Sequence, residues 1–275
     1  MEDNHSTVSI LGIGEGAGKI INRIQNHEDT DIRFYALRMQ NPESDEQSLP
    51  SGYLSIYIVC LDGADSEEYI TTVLQQAATK KTKAKLLVVT LPHSSAGTAK
   101  RREAFHLLER LEELVDGIYV IDPDSIPRPT IAEELEEVTS RVTEIVRSLV
   151  SPVVRPAKTD FGIKDVAEFL RTSGSHKHVE YFTLLGDTNH LKQETKDLSD
   201  QFQSNYPSTD DISNMILLVT YNDNTDESAF AYFLKEILLD MMQNMCQEAN
   251  VKWGLFHDST MDENVYRIDL LTKSN

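Results

Sequence analysis

Hydrophobic and polar positions give the two halves of the chain different rhythms. In the first half, short apolar runs recur at Thr7–Leu11, Ile32–Leu37, Leu54–Leu61, Lys85–Thr90 and Gly117–Ile121. Runs of that length without polar alternation predict strands buried on both faces. Between them, helical spacing of apolar residues predicts helices at Gly18–Gln25, Glu67–Ala78 and Ala99–Leu114. Strands and helices in alternation imply an α/β fold with a Rossmann-like parallel sheet. Its ligand-facing loops should lie at the carboxyl ends of the strands.

The segment Thr130–Val150 has a different pattern. Ile131, Leu135, Val138, Val142, Ile145 and Leu149 step by four and three, with Glu133, Glu134, Glu136, Glu137 and Arg141 on the other faces. Thr130 is the expected N-cap and Pro152 the expected stop. This predicts a central connecting helix, 130–150, between a nucleotide-binding-type domain, 1–129, and a smaller α+β domain, 151–275. In the second domain the pattern predicts a helix at Lys164–Thr172, strands at Glu180–Leu185 and Met215–Val219, and a long helix at Asp226–Cys246. The long helix would carry Ala229, Phe233, Ile237, Met241 and Met245 on one side, the methionines as core filler. Val251–His257 and Val265–Leu271 would close the chain as a terminal hairpin.

Of the 275 residues, 40% are hydrophobic, enough for a real core, and 45 acidic against 26 basic residues give a net charge of −19. Such a surface disfavours nucleic acid and anionic membranes as partners, and acidity is also an ordinary route to solubility. Cys60 and Cys246 read as separate buried thiols, no Cys/His cluster suggests a metal, and His176 and His178 read as solvated loop residues. The polar, acidic start lacks a signal peptide and no apolar run has membrane-spanning length, so the expected location is cytoplasmic.

Two loops carry the candidate chemistry. Gly12-Ile13-Gly14-Glu15-Gly16-Ala17 satisfies the GxGxxA dinucleotide fingerprint, in which glycines let backbone approach a pyrophosphate at a helix N-terminus. The third strand, by contrast, runs into Asp62-Gly63-Ala64-Asp65-Ser66-Glu67-Glu68, four carboxylates where phosphates would have to sit. One loop invites an anion and the other repels it. The second strand leads to Arg38, which would suit the 2′-phosphate of NADP, so an NADP-binding oxidoreductase is one alternative.

Read in order, several segments resemble FtsZ, the bacterial tubulin relative and cell-division GTPase. These are Val8–Ile24 with its glycine loop, Arg33-Phe34-Tyr35-Ala36-Leu37, and Leu86–Thr90 with Pro92 and Lys100-Arg101-Arg102-Glu103-Ala104. Val115–Asp124 (VDGIYVIDPD) resembles the family's VDTLIVIPND run. Asp160-Phe161 with Asp165-Val166 resembles its NxDFADV loop, and Ile216–Val219 through Trp253-Gly254 matches its second domain in order. The resemblance spans nearly the whole chain and rests more on element order than on identities.

It implies a phosphate loop of Gly14, Glu15, Gly16, Ala17, Gly18 and Lys19, with Gly12 contributing to the turn. Glu15 stands for a glycine and should repel phosphate, whereas Lys19 stands for an asparagine and would offset that charge. The family's GGGTGTG signature is replaced by Leu61–Ser66, shorter and acidic. The guanine contact would fall on Glu134 or Glu136. Family hydrolysis is completed by the next subunit's second-domain loop, where Thr159 or Asp160 stands near the family asparagine and Asp165 is the clearest surviving carboxylate. The resulting expectation is a degenerate nucleotide site with no cofactor, in an assembly or interaction module that pairs with itself or with another FtsZ/tubulin-like protein. An active GTPase using GTP with magnesium is the other alternative.

Overall fold

The structure, a computed structural model, describes residues 8–25, 32–37, 52–61, 67–126, 131–155, 157–172, 177–187, 212–222, 224–225 and 249–274, with scattered positions from 190 to 235. The Asp62–Ser66 loop, Arg38, Thr130, His176, Cys246, the side chain of Glu134 and most of the expected helix Asp226–Cys246 lie outside the described residues. The chain divides into two compact units, Met1–Val154 and Arg155–Asn275.

The first unit is built on five parallel strands, β1 (Val8–Ile13), β2 (Ile32–Leu37), β3 (Leu54–Cys60), β4 (Ala84–Thr90) and β5 (Gly117–Ile121), in the order β2-β1-β3-β4-β5. β1 and β3 are buried along their whole length, as unbroken apolar runs require of strands covered on both faces. Helices α1 (Glu15–Ile24), α2 (Glu67–Ala78), α3 (Thr98–Glu112) and α4 (Ile131–Val154) follow β1, β3, β4 and β5. Val59, Leu74, Val89, Leu107 and Leu111 belong to one apolar cluster of this unit. Cys60 is buried and forms no disulfide among the described residues.

Three local expectations need correction. α1 begins at Glu15 rather than Gly18, because the glycines that hide helical periodicity from the sequence already lie in its first turn. Pro152 does not stop α4, which runs on to Val154. The proline removes a single bond, to the Ser148 carbonyl, and one lost bond so close to the end does not unwind the last turn. The stripe of α4 is otherwise as expected: Val138, Val142, Ile145 and Leu149 are all buried, and the helix packs on α1.

The third correction lies in the second unit. After helix α5 (Ile163–Arg171) come β6 (Val179–Asp187), β7 (Ile212–Tyr221), β8 (Asn250–His257) and β9 (Val265–Ser274), ordered β6-β9-β7-β8. β8 and β9 are not a hairpin. β9 inserts between β6 and β7, antiparallel to both, and β8 pairs with β7 in parallel. A parallel pair needs a long crossover, which the chain between Tyr221 and Asn250 supplies; Ala231, Leu234 and Lys235 within it are helical. β9 earns its central place by composition, with Tyr266, Ile268, Leu270 and Leu271 all fully buried.

Candidate functional site

The glycine loop is built by packing. β1 is followed by Gly14, the N-cap of α1, whose φ of 95° and ψ of 178° lie in a region open essentially to glycine alone. A Cβ on Gly12 would sit 2.6 Å from Cγ1 of Ile21 and 2.8 Å from the carbonyl oxygen of Ala17, so Gly12 is there to let α1 close on the strand. Gly18 is buried against β2, where a Cβ would stand an ordinary 3.8 Å from that of Ala36, and Gly16 is half-buried.

Electrostatically the loop is occupied by its own groups. The Gly14 amide donates to the Leu37 carbonyl at the end of β2, at 3.0 Å, and the Gly18 amide donates to the Gly14 carbonyl at 3.0 Å. Gly14, the N-cap residue of α1, offers no capping side chain, and the first turn of the helix carries its partial positive charge. Glu15 stands in that first turn with its carboxylate 66% exposed and 2.9 Å from Lys19. The one cation of the loop therefore pairs with the chain's own acid. Next to this loop in the sheet, α2 opens with Glu67 and Glu68, both exposed, and Arg110 approaches Glu67 at 3.6 Å. The buried hydroxyl of Thr90, at the end of β4, has no hydrogen-bond partner among the described residues.

At the ends of β4 and β5 the structure brings together a cluster that sequence reasoning did not single out. Asp124 accepts from the Ser94 amide at 3.0 Å and the Ser94 hydroxyl at 2.9 Å, and it meets His93 Nε2 at 2.7 Å. Arg101 pairs with Asp122 at 2.8 Å and also with Asp124, and stacks on the Phe105 ring at 5.8 Å. The bond to Asp122 raises the affinity of the Arg101 guanidinium for its proton. Ser95, His93 and Asp124 lie in the order of a proton relay. However, the Nδ1 lone pair of His93 also accepts the Ser95 amide at 2.9 Å, and Asp124 is shared with Arg101, so the arrangement is a latch between two loops. In the sequence, Asp122 and Asp124 close the Val115–Asp124 run and Arg101 lies in Lys100–Ala104, but only the fold joins them to His93 and Ser94; Asp122 caps a 3-10 turn that begins at Pro123. Asp124→Ala should unlatch His93, Ser94 and Arg101 together and cost about 1–3 kcal/mol in chemical denaturation. Unchanged stability would show that the latch is not formed.

The second-unit acids have distinct settings. Asp160 is exposed, and Thr159 beside it reaches the Trp253 carbonyl at 3.4 Å. Asp165 is three residues into α5, where its carboxylate accepts the Gly162 amide at 2.8 Å and Lys252 Nζ at 2.8 Å, with Glu168 as the second partner of that lysine. Partial burial pushes the Asp165 carboxyl up, but Lys252 and the Gly162 amide outweigh it and hold it below the usual carboxylate range. Its stabilising contribution is therefore complete above about pH 4 and is lost as pH falls through the folded-state value. Asp165→Asn should lower stability at pH 7 and cost progressively less as pH falls below about 4, as followed by urea titration; a loss that does not change with pH would contradict the cap and ion pair. Glu136 is exposed on α4.

No family model matches the sequence, and none of the curated proteins matches it. Solved structures do. The empty FtsZ dimer of M. jannaschii superimposes with a TM-score of 0.77 at 13% identity, covering 99% of this chain and 89% of that one. The chain has the tubulin/FtsZ fold. The GTPγS-bound protofilament of CetZ2 from Haloferax volcanii aligns at 0.72 and 10% identity, over 97% of this chain and 92% of that one. TubZ of Bacillus thuringiensis serovar israelensis, in GDP-form protofilaments, aligns at 0.65 and 12%, over 97% and 88%. Among the described residues, no helix is long and apolar enough to cross a membrane.

Proposed function

We propose that this chain uses the tubulin/FtsZ fold as an assembly or interaction module whose nucleotide position is degenerate. The observation that carries this reading is Glu15, a carboxylate in the first turn of α1, paired to the only cation of the loop while the Gly14 amide is engaged by Leu37. A carboxylate about 5 Å from a phosphate charge opposes it by about 1–3 kcal/mol between water-like and protein-surface screening. Glu67 and Glu68 add to Glu15, and the residues present do not fit a triphosphate. No hydrolytic step is therefore assigned to Asp160 or Asp165, and no guanine contact to Glu136. Gly12, Gly14, Gly16, Gly18 and Lys19 keep the shape of the loop without its ligand. In this reading 1–129 is the nucleotide-type domain, 130–150 the connecting helix and 151–275 the partner-facing domain.

The partner is a second copy or another protein of this fold; the structures aligned above include a dimer and protofilaments. Acids on the loop face repel a like-charged neighbour, so end-on association should strengthen as salt screens them. Sedimentation velocity across protein concentration and salt tests this. The expected result is association that rises with salt and is the same with and without GTP and magnesium. Assembly that needs GTP and reverses as phosphate is released would replace this reading with an active GTPase.

A further inference from the structure

Four strands form the edges of the two sheets, and three of them are managed. β5 has only five residues, and β2 has six with Arg33 exposed on it. On β8, the Lys158 amide donates to the Leu255 carbonyl at 2.8 Å and Thr159 reaches the Trp253 carbonyl, so chain already lies along its outer side. β6 is different. It has nine residues, pairs with β9 without a register shift, and its only strand neighbour among the described residues is β9. From Tyr181 to Gly186 it holds no charge and no proline, and Leu185 is 67% exposed. Long, flat, uncharged edges are the kind that recruit another strand.

The sequence of β6 specifies which strand. We propose that the outer edge of β6 pairs antiparallel with β6 of a second copy, joining two four-stranded sheets into one of eight. For the joined sheet to keep its core face and its outer face, opposed residues must point the same way, which restricts the alignment to every second register. The register that uses all nine residues is centred on Thr183. It sets Phe182 against the partner's Leu184, Tyr181 against the partner's Leu185, and Thr183 against its own copy. Glu180 then faces Gly186 and Asp187 faces Val179, so no acid opposes an acid. A one-residue slip would oppose Glu180 to Asp187 and would also invert the faces. Phe182 and Leu184 pack on the apolar cluster of the second unit, while Tyr181 and Thr183 turn to the other face, where both donate to Asp269. Aromatic–aliphatic pairs on both faces are the combination that stabilises neighbouring strands. The exposed Leu185 gains the cover of a tyrosine ring. This pairing is independent of the nucleotide reading, since it uses none of the loop residues of the first unit.

Cysteine cross-linking reads the register directly. Across an antiparallel pair, directly opposed Cα atoms lie about 4.5–5.5 Å apart, within disulfide range, so Thr183→Cys should link to its own copy. Leu185→Cys should not, because the two copies of that position are four residues apart along the strands, about 13 Å. The full-length protein under mild oxidation should give disulfide dimer at least about tenfold faster for Thr183→Cys than for Leu185→Cys. Adding Leu185→Asp to Thr183→Cys should abolish that advantage, with the circular dichroism spectrum unchanged. Equal rates at the two positions, no dimer beyond that of the unsubstituted chain, or a rate that Leu185→Asp leaves intact would each overturn the proposal.

Discussion

Replacing Gly12 with alanine should lower the unfolding free energy by about 3 kcal/mol, at the upper end of what overpacking costs. The added methyl would fall 2.6 Å from Ile21 and 2.8 Å from the Ala17 carbonyl. Ile21 is 1% exposed and has nowhere to move, and the Ala17 carbonyl is helix backbone. Relief would require α1 to lift from β1, opening the core beneath it. Gly18→Ala is the counter-experiment: its methyl meets ordinary contact at 3.8 Å, and alanine is the better helix former by about 1 kcal/mol. Thermal melts should therefore separate the two glycines, Gly12→Ala well below the parent and Gly18→Ala at or above it. A Gly12→Ala protein as stable as the parent would mean that this glycine is kept for a ligand rather than for packing. The distinction matters because the fingerprint Gly12–Ala17 reads the same in either case.

Asp269→Ala should be at least as damaging to the second unit, by about 3–5 kcal/mol. The carboxylate is 1% exposed and accepts from the Tyr181 hydroxyl at 2.7 Å, the Thr183 hydroxyl at 2.9 Å and Arg267 Nε at 2.8 Å. Its removal leaves three donors, one of them charged, without their acceptor in a largely dry setting, and the missing atoms leave a void. Asp269→Asn keeps the volume but supplies donors where acceptors are needed, and should recover only part of the loss. Urea titrations of the parent and both variants check the order. A loss below about 1 kcal/mol for Asp269→Ala would show that this centre of β6 and β9 is not assembled as described.

The parallel sheet was legible because its strands are buried on both sides, which leaves unbroken apolar runs such as Leu54–Cys60 that little else explains. The stripe of α4 was legible for a related reason: one buried face of a long helix fixes every third or fourth residue, from Val138 to Leu149. Strand partners were not legible. β8 and β9 are separated by seven residues, a spacing that fits a hairpin, yet what decides their pairing is the affinity of β9 for both β6 and β7, contacts far away in sequence. At the site, only contacts between neighbours in sequence were legible. Glu15 and Lys19 are one helical turn apart, and the expectation that the lysine would offset the acid agrees with their ion pair. Asp165 read as a surviving site carboxylate because its local sequence resembles that loop; its partner, Lys252, lies 87 positions on. The His93–Asp124 latch spans two loops whose residues are individually unremarkable.

Calorimetric titration of the full-length protein with GTP and magnesium tests the central claim most directly, with Glu15→Gly as its comparison. The degenerate reading predicts no binding at micromolar concentration for the parent. Glu15→Gly removes one like charge, frees Lys19 and should gain at least about tenfold in affinity, even if it remains weak. Micromolar or tighter binding by the parent, weakened or unchanged when Glu15 is removed, would contradict the account.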